Sequence, residues 1–229
     1  MTLYLIARWL HISAGMVAFA ALWLPLIGRK GGPLHRRAGW VYVGAMIVSA
    51  LTGMVISGWR FFTQQGNPAP ALFLMYVGVL SAASAIMGVR VIRTKARRGA
   101  LRHPLDLGVA GLLLLMALVT GGYGLSVGAS LLYGFAPVGL AVGGGQLYFW
   151  LRPPQERMAW WFEHMGAMIG SGIGTLTAML VVNARHFGGS GFLLALFLGP
   201  TLVGLVGLKL WERYYRQRFT AKSPAAQAA

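Results

Sequence analysis

Seven apolar runs, each about as long as a membrane-crossing helix, constrain this chain more than any other feature. They lie at roughly 3–27, 38–59, 70–91, 105–127, 130–151, 158–183 and 191–210, and are bounded by Arg, Lys, Pro or aromatic residues. Only 10% of the 229 residues are charged and 57% are hydrophobic, with a mean hydropathy of +0.65. A soluble domain carries nearer about 25% charged residues. The expected fold is all-α: a polytopic membrane protein with one bundle of seven transmembrane helices over residues 1–218. A disordered cytoplasmic tail is expected at 219–229. The first run lacks a charged start and leads straight into "RKGGPLHRR", which reads as a span rather than a cleavable signal.

The net charge of +16 resembles that of a nucleic-acid binder, but its placement does not. All Lys and Arg except Arg8, Arg60 and Arg185 fall in alternate inter-span segments: 28–37, 90–102, 152–157 and the C-terminal stretch. That bias orients the chain with its N-terminus outside and its C-terminus in the cytoplasm, so the cell membrane is the expected location. The bilayer, with anionic lipid at the cytoplasmic face, is the expected partner, and no nucleic acid is expected. Cysteine is absent, which excludes disulfides, thiolate metal sites and iron–sulfur clusters. The aromatic residues near span ends, among them Trp40, Tyr42, Trp59, Trp150 and Trp160, read as interfacial anchors. Gly166, Gly170 and Gly174 recur every four residues in the sixth run, a spacing that favours close helix packing.

Ionisable residues inside a span are expensive, so they mark a bundle interior or a polar path. Arg8 and His11, three apart, share a face of the first helix; Glu163 and His164 are adjacent in the sixth. Adjacent helical residues point about 100° apart, so Glu163 and His164 do not face one another. Glu163 suits the positive end of its helix, or a basic residue of "RKGGPLHRR" or "RTKARRGALRH"; neither explains His164. At about 1.5 Å per residue, His11 and His164 enter from opposite faces and stay roughly 10–15 Å apart, too far to share a metal ion.

The remaining histidines sort by side. His35 and His103 belong with His164 at the cytoplasmic end, and His186 with His11 at the other. A divalent metal wants three or four converging ligands, and His35, His103, His164 and Glu163 are the inventory for one. Haem b needs two axial ligands at matching depth, for which His35 with His164, or His11 with His186, qualify. Met168, one turn beyond His164, is a sulfur ligand of the kind copper(I) takes, although methionines are more commonly core filler. "RHPLDLG" reads as a helix start, with Pro104 in the first turn and Asp106 favourable to the dipole.

The stretches "LHISAGMVAF", "KGGPLHRRAGWVYVGAM" and "EHMGAMIGSGIGTLTAMLVVN" together resemble a bacterial family of multi-pass membrane proteins grouped as domain of unknown function 2306. The resemblance implies the architecture and singles out His11, His35 and His164 as its histidine-containing positions. It attaches no activity to them.

Three function classes follow. The first is a haem- or metal-binding redox protein using His11, His35 and His164. The second is a small-solute or proton transporter with a path through Arg8, His11, Glu163, His164 and His186. The third is an assembly factor without a substrate. No serine is paired with a base and no phosphate loop is present, so an enzyme of the hydrolase or nucleotide-binding type is not expected.

Overall fold

A computed structural model describes residues 2–63, 67–187 and 192–221. Within them the chain forms seven long helices: α1 (Thr2–Ile27), α2 (Pro33–Phe62), α3 (Ala69–Arg93), α4 (Pro104–Ser126), α5 (Ser130–Leu151), α6 (Ala159–Val182) and α7 (Leu193–Ala221). A 3-10 turn, Ala184–Phe187, follows α6. There is no strand among the described residues. Helix α7 runs to Ala221, and the rest of the tail expected to be disordered lies outside them.

Six helices, α1, α2, α3, α4, α6 and α7, are long and apolar enough to cross a membrane. The architecture is that of an integral membrane protein. Helix α5 is not among the six; its 22 residues include Pro137, five glycines and a buried Gln146. Helix α3 is the hub. Of its apolar window 61% is buried, against 17% for α1 and 6% for α7, which lie at the periphery. It packs against α2, α4, α5 and α6; α1 lies along α2, α5 along α4, and α7 along α6.

Local chemistry sets the helix ends. The last carbonyls of α1 have no intrahelical partner, and the Lys30 ammonium donates to two of them, Pro25 O at 2.9 Å and Leu26 O at 2.6 Å. Gly31, at φ +74°, then reverses the chain in a conformation that disfavours side chains. Pro33 opens α2, where its missing N–H costs nothing. Helix α4 begins as its sequence implies, with Pro104 in the first turn and the His103 imidazole accepting from Leu105 N–H at 3.2 Å.

Pro137 disturbs α5 and Tyr76 repairs it. The Tyr76 hydroxyl donates to Phe135 O at 2.9 Å and accepts from Gly139 N–H at 2.7 Å. Those two groups are four residues apart and would otherwise pair with each other across the proline turn. An inserted side-chain hydroxyl therefore satisfies both in a setting without water.

The four basic segments meet at one end of the bundle. Lys30 lies 4.5 Å over the Trp211 ring of α7. Arg97, between α3 and α4, donates to Phe149 O and Arg152 O at the end of α5. Arg216 of α7 clasps Glu156, between α5 and α6, with both contacts at 2.8 Å.

Two aromatic residues expected as anchors are core residues. Trp150 and Tyr42 are each 1% exposed: Trp150 packs with Met87 and Val91 beside Phe149, and Tyr42 bonds to Ser171 and Thr175. Trp40 and Trp59 are exposed, as an anchor requires. The glycine spacing in α6 is partly a packing device. A side chain at Gly174 would collide with Ser81 of α3 and one at Gly170 would meet Ser84, while Gly166 faces open space.

Candidate functional site

Helices α2 and α6 bring His35 and His164 together at the basic end. Their ring centres are 6.2 Å apart with the planes at 66°. Each ring is held by a main-chain oxygen. The Nδ1 of His164 lies 2.8 Å from Gly88 O on α3, and the Nδ1 of His35 lies 3.3 Å from Pro25 O on α1. A carbonyl only accepts, so each Nδ1 carries a proton, and in the neutral ring it is Nε2 that keeps a lone pair. This is the support a ligating imidazole normally receives. The local sequence provides it: Pro25 sits near the end of α1, and Gly88 lets α6 come close to α3.

The two rings share a cavity of about 390 Å³. Its wall includes Leu22 and Leu26 from α1, Tyr42 and Val43 from α2, Val89 and Ile92 from α3, Met165 and Met168 from α6, and Trp211 from α7. The size falls in the range of small-molecule pockets, about 300–1,000 Å³. Lys30, Arg36 and Arg93 also line it, while no carboxylate does. Burial holds the Lys30 ammonium below the usual lysine range, and Arg93 lies over the Trp40 ring at 5.5 Å.

Tyr42 is the wall residue that sequence reading missed. Its hydroxyl lies 2.7 Å from Ser171 Oγ and 3.0 Å from Thr175 Oγ1, so a hydroxyl thread leads from the cavity wall into the bundle. The signal was present in the spacing: Tyr42 stands seven residues, two helical turns, after His35.

The other predicted residues lie elsewhere. His11 rests against α2, with Nδ1 at 2.8 Å from Ser49 O and its ring edge beside Gly53. Along α2 that is roughly 20 Å from His35, at about 1.5 Å per residue. His103 is spent on capping α4, and its ring is outside the cavity wall. Glu163 is outside the cavity wall and feels the charges of Arg97 and Glu212 electrostatically. Arg8 is exposed on α1, and His186 accepts from Arg185 Nε at 3.2 Å in the 3-10 turn.

Among the described residues, no group of three or more His, Asp or Glu side chains is placed to hold a metal ion. The expected set of His35, His103, His164 and Glu163 is therefore not assembled. His103 caps α4 and Glu163 is outside the cavity wall, so two imidazoles remain. No family model, curated protein or solved structure matches this chain.

Proposed function

We propose that the protein is a seven-span redox protein of the cell membrane, with haem b held between His35 and His164 at its cytoplasmic end. The observation that carries this reading is the ring pair. His35 and His164 come from different helices to the wall of one cavity, with ring centres 6.2 Å apart, and would together hold the group. With Nδ1 of each ring given to a main-chain oxygen, Nε2 of the neutral ring is the ligating atom, and the cavity around them is walled mainly by apolar side chains. Lys30, Arg36 and Arg93 line the same cavity and would pair with a porphyrin's carboxylates. A bare metal ion has no use for a 390 Å³ apolar cavity edged with cations.

When bound, the group would supply one-electron chemistry. The chain's own residues do the rest. Pro25 O and Gly88 O orient the rings, the tryptophans and aliphatic residues exclude water, and Tyr42 places a hydroxyl at the wall. Helix α5 makes the seventh crossing, and the clustered basic segments face the cytoplasm and its anionic lipid. His11 then belongs to a different part of the molecule.

The test is the absorption spectrum of detergent-purified protein after haem-replete expression. Wild type and His11→Ala are expected to show a Soret band, and His35→Ala and His164→Ala to lose or shift it. A wild type with no Soret band, or a band indifferent to both substitutions, overturns the proposal.

A further inference from the structure

A second cavity, also of about 390 Å³, opens at the basic end and has a different character. It lies between the α3–α4 and α5–α6 segments, and Lys95, Arg97, Arg98 and Arg157 all line it. Trp160 is common to both cavities; neither histidine reaches this one.

Charge decides what such a cavity can hold. The chain has only four acidic residues: Asp106, Glu156, Glu163 and Glu212. Asp106 is bound by Arg90, and Glu212 by Lys209 and Arg216. Glu156 lines the cavity, but both of its oxygens are taken by Arg216. Glu163 does not line the cavity, and the Arg97 guanidinium is built into its wall: it donates to Gly99 O, Phe149 O and Arg152 O and lies 4.1 Å over the Phe149 ring. Lys95, Arg98 and Arg157 are left with no carboxylate. Like charges gathered in a concave site focus the field on whatever anion enters it. Arginine's fork of donors matches phosphate oxygens in pairs.

We propose that the cavity edged by Lys95, Arg98 and Arg157 binds a phosphate-bearing anion, with Arg97 as its fixed floor. The site is independent of the histidine pair and does not require it. The phosphate belongs either to a soluble phosphate compound or to an anionic lipid headgroup, since the cavity is at the end of the bundle where headgroups lie.

The experiment uses the full chain, purified and delipidated in a neutral detergent. One arm titrates inorganic pyrophosphate by calorimetry. The other measures retention of dioleoylphosphatidylglycerol against dioleoylphosphatidylcholine by native mass spectrometry. We expect saturable binding of one molecule per chain in at least one arm. The double variant Arg98→Gln/Arg157→Gln is expected to weaken it at least tenfold. Arg29→Gln/Arg37→Gln, which removes the same charge from another basic segment, is expected to change it less than threefold. Pyrophosphate binding identifies a soluble phosphate ligand; phosphatidylglycerol retention with no pyrophosphate binding identifies a headgroup. No binding in either arm, or equal weakening by the two double variants, overturns the proposal. His164→Ala is expected to leave both arms unchanged, so the two sites fail or stand separately.

Discussion

Single side chains in this protein carry out tasks that water performs in a soluble one. Tyr76 is the clearest case, because its hydroxyl completes two main-chain groups that Pro137 separates. Tyr76→Phe keeps the ring and removes both bonds, leaving an N–H and a C=O unpaired in the bundle. A buried group left without a partner costs about 1–3 kcal/mol. The variant should therefore unfold at visibly lower denaturant in mixed micelles, with the spectrum of the folded state unchanged. Stability equal to wild type would mean that Phe135 O and Gly139 N–H re-form their own bond. Gly88 has a comparable place beside the histidine site. Its carbonyl holds His164, and a methyl group added there would lie 2.7 Å from the Met168 sulfur.

Between elements, the strongest polar link is Arg90 on α3 with Asp106 on α4, a two-pronged pair with both contacts at 2.7 Å. The Asp106 side chain is 1% exposed and that of Arg90 18%. Asp106→Ala strands the arginine, and breaking a buried pair from one side costs about 3–5 kcal/mol. Replacing both, as Arg90→Met/Asp106→Leu, should recover most of that loss, since the pair's own desolvation disappears with it. Thermal unfolding of the three proteins in one detergent checks this, and a double variant no better than the single one would contradict it. The sequence gives no sign of the pair. Asp106 has a sufficient local explanation as a first-turn acid, and its partner lies across a loop with no periodic relation to it. Helix existence was legible because lipid imposes length and hydropathy on each run, and the proline at the start of α4 marked its boundary. Tyr42 was misread for the converse reason: a tyrosine near a span end looks the same whether it faces headgroups or Ser171.

At the scale of the whole molecule, alternation of charge predicted which segments meet, and the contacts of Lys30, Arg97 and Arg216 join those same segments. The histidines divided by depth in the same way. His35 and His164 came together because both lie near the basic end, while His103 left the set once its ring was needed to start α4. A ligand's convergence depends on helix rotation, which spacing within one helix cannot report for its neighbours. The proposed orientation makes a simple forecast. Single cysteines introduced at Gly99 and Gln155 should react with a membrane-impermeant maleimide only after cells are opened, and one at Asn67 should react in intact cells. Labelling of all three in intact cells would contradict the topology.

The proposed haem site depends on His35 and His164 acting as a pair. Haem stoichiometry, measured as the pyridine haemochrome against protein concentration, tests that directly. One haem per chain is expected for wild type and for His11→Ala, and less than a tenth of that for His35→Ala and for His164→Ala. Wild type without haem, or stoichiometric haem retained when either cavity histidine is removed, would contradict it.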